Sequence, residues 1–351
     1  MEIQKNGYHG FCLPQAGVAL DGPGRRTPDS QLSGTDSEHL ARTSDGYDTD
    51  HVFISHAHAD HAPRNRNTPV FTTPATAALI RARGHKGPIR ETPFGETVSL
   101  PRANVTFYPA GHILGSAMIF VESEAGSLLY TGDCRTPPSL VTEGFELPDR
   151  PVDFLVIEAT FGLPIYKWAT HEELYHRIHR FYIDTVDHDE TPVFLCYNLG
   201  KAQEVMYALA NPAIEEDTPS RDDKVQIHHA GVALCNVYEQ FGISLGSWET
   251  FDPDTCKGKP LIMPAQAMKN EVMQKLTRYR TAYVSGWATL ESKIAQMGMD
   301  ASIPLSDHLD FFELLQVCRS VNPKKVLLTH SPNPDIAIHF LEMEGIQASP
   351  L

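Results

Sequence analysis

The sequence predicts an α/β protein. A β-rich layered domain is interrupted by an α/β insertion, from roughly residue 164 to 302, and is resumed by the C-terminal segment. Three observations lead there. Short apolar runs repeatedly end on a histidine or an acid, as strands do when they deliver polar groups to one edge of a sheet. After Pro164 the texture changes to helical spacing alternating with apolar strands, the pattern of an α/β unit. Near Ile303 the strand-to-polar-loop pattern returns. The expected spans are 1–163, 164–302 and 303–351, the first and last being parts of one domain.

The elements follow in order. The stretch from about Asp21 to Asp50 is rich in Gly, Pro, Ser, Thr and Asp and reads as a surface loop. Val52-Phe53-Ile54 is a short buried strand that runs into a histidine cluster, and Pro69-Val70-Phe71 is another. A helix opens at Thr73-Pro74 and runs through Arg83, with Pro near its start and Gly84 at its end. Val105–Tyr108 is a strand ending at Pro109-Ala110-Gly111-His112. Ala117–Glu122 and Ser127–Thr131 read as a strand pair joined at Glu124-Ala125-Gly126. Phe154–Ile157 is a strand ending at Glu158. In the insertion, His171–Val186 has helical spacing, Val193–Tyr197 is a strand, Lys201–Leu209 a helix and Val225–His228 a strand, with several helical stretches after it. A helix from Asp310 to Ser320 and a strand, Val326–Leu328, close the chain, the strand leading to His330.

Composition narrows the function. Acidic residues exceed basic ones, 44 against 29, for a net charge of −15. That argues against a generally basic nucleic-acid-coating protein and leaves room for a local basic groove. No apolar run approaches the ~20 residues that span a bilayer, and the N-terminus, Met1–Gly7, has no apolar signal-peptide core. The six cysteines are scattered without a CxxC pair. They read as reduced thiols of a cytoplasmic protein, neither a zinc ribbon nor a disulfide frame.

The strongest chemical signal is Ser55-His56-Ala57-His58-Ala59-Asp60-His61, directly after a buried strand. Four ligand side chains are spaced by small alanines, so they can converge without crowding. Imidazole and carboxylate suit borderline divalent cations such as Zn²⁺ and Mn²⁺. His112, Asp133 and His330 also stand at strand ends. Each alone has an ordinary reading as a turn or cap residue. Together with the cluster they make seven ligands, enough for two divalent metal ions with one residue bridging.

These motifs resemble the metallo-β-lactamase superfamily: HxHxDH, a lone His, Gly-Asp and a late His. Glu158 in IEATFG, His308 in LSDHLDF and His330 in LLTH resemble the three signature motifs of its β-CASP nucleases. PAGHILGSA (109–117), EATFGLPIY (158–166), YNLGKAQ (197–203), SGW (285–287) and LSDHLD (305–310) are similar to stretches of bacterial ligase-associated DNA exonucleases. The resemblance spans roughly residues 51–345. It implies an αββα metallo-β-lactamase sandwich with an inserted β-CASP domain. It assigns His56, His58 and His112 to one metal and Asp60, His61 and His330 to the other, Asp133 bridging them. The chain departs from the family between an early Asp and the metal loop, where a long polar stretch including Ser30–Asp50 intervenes, and Asp21 receives no role.

The resemblance implies hydrolysis of DNA from 3′ ends by a metal-activated water; single strands are the expected substrate because a narrow cleft admits a strand end more readily than a duplex. ATP-dependent DNA ligase and helicase are its implied functional partners in end repair, with no membrane involved. The expected catalytic residues are Asp60, Glu158 and His308, the last two paired beside the metals. Asn198, Gly200 and Lys201 lie between a strand and a helix, where backbone N–H groups and a lysine can meet a phosphate. Lys167, Trp168 and Trp287 are weaker candidates for substrate contact, packing being the ordinary role of each. The alternatives are a β-CASP ribonuclease, a small-molecule metallo-hydrolase, which would lack the insertion and the Glu158/His308 motifs, and a non-catalytic subunit, which would have lost metal ligands.

Overall fold

Phe11–Leu13, Val18–Leu20 and Leu261–Met263 are runs of three residues, every one buried. Such runs suit strands covered on both faces. The computed structural model describes residues 1–5, 10–21, 51–62, 69–211, 224–269, 276–289 and 298–351, and among these the strands form three sheets. The α-helices described are α1 (Pro74–Ala82), α2 (His171–Asp187), α3 (Lys201–Ala210), α4 (His229–Gln240), α5 (Phe311–Val321) and α6 (Pro334–Met343). The chain divides into two compact units. One comprises Met1–Pro138, Thr142–Ile165 and His308–Leu351, and the other Ser139–Val141 and Tyr166–Asp307.

The first unit holds two sheets. One runs in order through β1 (Gln4–Lys5), β2 (Phe11–Leu13), β3 (Val18–Leu20), β4 (His51–Phe53), β5 (Val70–Thr72) and β6 (Ile89–Glu91). The other contains β7 (Thr97–Ser99), β8 (Ala103–Pro109), β9 (Ala117–Ser123), β10 (Gly126–Tyr130), β11 (Phe154–Glu158), β18 (Lys325–Thr329) and β19 (Ala348–Pro350), in the order β19-β18-β11-β10-β9-β8-β7. Side chains alternate along its central strands. Ile119, Leu128, Tyr130, Val156 and Leu327 join a core with Phe11, Leu20 and Phe53 of the first sheet. Phe120, Leu129, Leu155, Ile157 and Leu328 join a core on the other side, with Leu314 and Val317 of α5 and Leu341 of α6. Phe11 meets Tyr130 edge-on at 5.0 Å, and that contact ties the two sheets together.

The second unit is built on a parallel sheet of β12 (Thr191–Leu195), β13 (Val225–Ile227), β14 (Trp248–Thr250), β15 (Leu261–Met263), β16 (Tyr279–Val284) and β17 (Ala301–Ile303), in the order β14-β13-β15-β12-β16-β17. Helix α2 starts at a capping box, Thr170 with Glu173, and buries Leu174, Ile178, Phe181 and Tyr182.

The structure adds to the sequence expectations in one place and corrects them in two. The N-terminal strands β2 and β3 are not apparent in the sequence, because three residues carry no periodicity. After β13 the chain forms β14, β15 and β16 as well as helix, where the sequence suggests a mainly helical run. Asp21 is not part of a surface loop: it is fully buried at the end of β3. The remainder of that segment, residues 22–50, lies outside the described residues. All six cysteines are free and buried. Among the described residues no helix is long and apolar enough to cross a membrane.

Candidate metal centre

Strand register brings the polar residues together. In β11 and β18, Glu158 pairs with Thr329, so His330 follows directly beyond Glu158's neighbour. β10 pairs with β11 at Tyr130–Val156, so Asp133 emerges at the same end. The Ala117 N–H donates to the Ser55 carbonyl at 2.8 Å and ties the His56 loop to the start of β9. Two glycines make the turns. Gly132 has φ +56°, and a Cβ there would fall 2.7 Å from Ser55. Gly111 has φ +72°, and a Cβ there would fall 2.2 Å from the Arg135 carbonyl oxygen. His330 itself has φ +54°, a left-handed conformation that a non-glycine residue keeps only when its surroundings enforce it.

Ligand atoms of His56, His58, His112 and Asp133 lie within 4.8 Å of one another, as do those of His61, Asp133 and His330. Asp133 is common to both groups. Its Oδ2 is 3.4 Å from His56 Nε2, 3.5 Å from His61 Nε2 and 3.7 Å from His112 Nε2, and its Oδ1 is 3.5 Å from His330 Nδ1. Asp60 is half-exposed, its Oδ2 3.9 Å from His61 Nε2, and it stands beside the second group rather than within it.

Beneath the ligands lies Asp21. Its Oδ2 is 2.7 Å from His61 Nδ1 and accepts the Tyr130 hydroxyl at 2.6 Å and the Ser55 hydroxyl at 2.8 Å. Its Oδ1 accepts the Ser55 N–H at 2.7 Å. This carboxylate fixes the ring orientation of His61 and leaves Nε2 toward Asp133, the usual arrangement behind a ligating histidine. Sequence reasoning missed Asp21 and Tyr130. The signal existed, since Val18-Ala19-Leu20 is one more apolar run ending on an acid.

The electrostatics fit a cation. Burial, reinforced by His61, holds His56 well below the ordinary histidine range, so its ring is neutral. Its buried Nε2 has no hydrogen-bond partner. Burial opposes charge on His61, but the Asp133 and Asp21 carboxylates outweigh it and push its pKa up to about 10. Burial likewise opposes charge on Asp133, but His61 and His308 prevail and hold it well below the carboxylate range. An orphaned neutral imidazole beside ionised carboxylates, with only N and O donors, is a set that a Zn²⁺- or Mn²⁺-like cation satisfies.

Glu158 is fully buried. Its Oε1 is 2.8 Å from His308 Nδ1 and accepts the Cys134 N–H at 3.1 Å. Ligand atoms of Asp133, Glu158 and His308 lie within 4.8 Å of one another, so this pair adjoins the metal ligands. In the second unit, Asn198, Gly200 and Lys201 stand at the start of α3. Lys201 is buried and ion-paired with Asp307, and the Gly200 N–H donates to Gln203 Oε1 at 2.8 Å. The expected free lysine and open helix N–H are therefore already engaged. Trp168 is buried with its ring 5.9 Å from Tyr166, and Trp287 meets Tyr166 edge-on at 6.1 Å.

No family model matches the chain. It is 34% identical over 345 residues to a protein named Probable DNA ligase from Opitutus terrae, a match covering 97% of this chain and 30% of that protein. It is 26% identical over 212 residues to an RNase J-like protein from Methanocaldococcus jannaschii, covering 54% of this chain and 50% of the relative. The chain thus spans about a third to a half of the length of these relatives. The chain belongs to the β-CASP group of the metallo-β-lactamase superfamily. Its histidine and aspartate cluster is suited to divalent metal. A crystal structure of a protein of unknown function from Enterococcus faecalis V583 shares the fold, with a TM-score of 0.63, 14% identity, and coverage of 95% of this chain and 94% of that one.

Proposed function

We propose that this chain is a DNA exonuclease that removes nucleotides from 3′ ends, preferring single strands, in DNA end processing beside an ATP-dependent DNA ligase and a helicase. The observation that carries this reading is similarity over 97% of the chain to part of a protein named Probable DNA ligase. The reading includes an αββα sandwich for the first unit, a β-CASP insertion for the second, and a cytoplasmic setting.

Phosphodiester hydrolysis accumulates negative charge on the phosphoryl oxygens and needs a nucleophile at neutral pH. Two divalent cations, Mn²⁺ or Zn²⁺, held by His56, His58, His112 and Asp133 and by Asp133, His61 and His330 with Asp60 beside them, would supply the Lewis acidity and the activated water. Asp60, on the exposed side, orients the attacking water by accepting its hydrogen bond. Glu158 receives the Nδ1–H of His308 and so leaves Nε2 to protonate the departing oxygen. Gly200 and Lys201 enter with Asn198 as the frame of the α3 start, since the Gly200 N–H and the Lys201 ammonium are already bonded.

Digestion of end-labelled DNA and RNA strands of one sequence, across a metal series, tests the reading. Stepwise mononucleotide release from DNA 3′ ends, abolished by chelation and restored by Mn²⁺ or Zn²⁺, is the expected outcome. Rapid cutting of closed single-stranded circles would show endonuclease action instead. Preference for the RNA strand would favour the second reading, an RNA-processing ribonuclease, to which the RNase J-like relative points.

A further inference from the structure

Arg135 follows Asp133 by two residues and is 3% exposed. A guanidinium is rarely buried so deeply without a specific task. Its Nη1 donates to the His308 backbone carbonyl at 3.3 Å and to Glu313 Oε2 at 3.0 Å. The same Glu313 Oε2 accepts the Asp310 N–H at 3.0 Å, while Asp310 Oδ1 accepts the N–H groups of Phe312 and Glu313. These bonds form the capping box that starts α5. One side chain therefore grips both the carbonyl of His308 and the helix start two residues beyond it. The Arg135 main chain reaches a third loop, since its N–H donates to the Ala110 carbonyl at 2.9 Å, two residues before His112.

The consequence is geometric. The His308 ring is held from below by Glu158, which also accepts the Cys134 N–H. The ring alone can still swing about its own backbone. The Glu158 bond limits that swing, and the guanidinium fixes the backbone from which the ring projects by bonding the carbonyl. We propose that Arg135 is a positioning residue for the reaction, setting the His308 imidazole against Glu158 and beside Asp133 through its bond to the His308 carbonyl and its bond to the α5 capping box. This rests on the hydrolytic reading above, in which His308 protonates the departing oxygen.

That role has a readout that loss of fold or metal does not share. Nuclease action on DNA expels an alkoxide that needs a proton. Bis(p-nitrophenyl) phosphate expels p-nitrophenolate, which leaves without one. Arg135→Met should lower kcat on DNA by on the order of 10²-fold, the cost of a misplaced catalytic group, with KM near wild type. The rate on bis(p-nitrophenyl) phosphate and the metal content should stay near wild type. Arg135→Lys should recover part of the loss, since an ammonium reaches one of the two acceptors. In a His308→Ala background, Arg135→Met should cost nothing further. Because Arg135→Met strands the Glu313 carboxyl, Arg135→Met/Glu313→Gln is made alongside. It carries no unpaired charge and should show the same contrast between substrates. Equal losses on both substrates, or no loss on DNA, would overturn the proposal. If the wild type hydrolyses RNA and not DNA, the exonuclease reading fails separately, and the same contrast is measured on RNA.

Discussion

The strand-end loops of the first unit and the start of α3 share an outline. Each sets charged groups at a strand terminus beside a glycine with positive φ: Gly132 and Gly111 in one, Gly200 in the other. They differ in how the polar groups are satisfied. At α3 the charges meet their opposites, with Lys201 on Asp307 and the Gly200 N–H on Gln203, while the buried Asn198 Oδ1 has no hydrogen-bond partner. At the loops like groups converge instead: five histidines crowd one carboxylate, and the buried His56 Nε2 has no hydrogen-bond partner. Several imidazoles converging on one carboxylate, with only N and O donors, mark a place built for a cation from outside. A buried charge that meets its opposite, as Lys201 meets Asp307, marks structure instead.

The largest effect should come from Asp133, which both ligand groups share. Asp133→Ala should lose at least one metal equivalent and reduce hydrolysis by roughly 10³-fold or more, judged against the worth of metal-ion catalysis. Elemental analysis and rates on the same preparation check this. Full metal content with full activity would reduce Asp133 to a turn residue and erase the contrast with α3.

The α3 side of the comparison predicts the reverse pattern. Lys201→Met strands the buried Asp307 and should cost about 3 kcal/mol of stability. Lys201→Met/Asp307→Asn should recover most of it, and metal content should not change in either variant. Denaturant titration measures the pair. If the single variant instead leaves stability intact and raises KM for DNA, Lys201 is a substrate contact after all.

Part of the metal centre is legible in the sequence. Four ligand-type residues within HxHxDH, spaced by alanine after an apolar run, announce their chemistry by density alone. The structure brings His56, His58 and His61 together with His112, Asp133 and His330, which the strand-end pattern singles out. Asp21 carries the same run-then-acid pattern, but its partner is hidden for a physical reason. Its strand is three residues long, and the polar segment 22–50 separates it from the His61 it supports. The Lys201–Asp307 pair is illegible because a lysine at a helix start reads the same whether it meets solvent or a carboxylate far along the chain. Short strands such as β14 and β15 carry too few residues for either periodicity to register.

Asp21 offers a graded test between the two regions, because it is a closed set of hydrogen bonds lying under an open one. Asp21→Asn keeps the size and loses the charge behind His61. Metal affinity should fall 10- to 100-fold, as for other partners of ligating histidines. The fold should persist with a modest loss of stability, since the Asn oxygen can still accept the Tyr130 and Ser55 hydroxyls while its amide nitrogen is set against the Ser55 N–H. Calorimetric titration with Zn²⁺ or Mn²⁺ reads this, and unchanged affinity would make Asp21 purely structural.

The smallest effect concerns Glu313, which lies at the margin of the open region and is itself nearly closed. Burial pushes its carboxyl up to about 7, and Arg135, the Asp310 N–H and the neighbouring Asp310 and Glu158 charges only partly offset one another around it. An acid whose folded pKa exceeds its unfolded value, ordinarily 4.5, holds its proton more tightly when folded. Its contribution to stability is therefore fully present below about pH 4.5 and declines as pH rises to about 7. Glu313→Gln imitates the protonated form and keeps an oxygen for the Asp310 N–H. Variant and wild type should match near pH 4.5, and the variant should gain about 2 kcal/mol relative to wild type by pH 7.5. Other titrating groups cancel in that difference. Denaturant midpoints measured at several pH values supply it. A variant that grows less stable with rising pH would show that Arg135 holds Glu313 ionised, and that the pair belongs with Lys201–Asp307 among the closed charges.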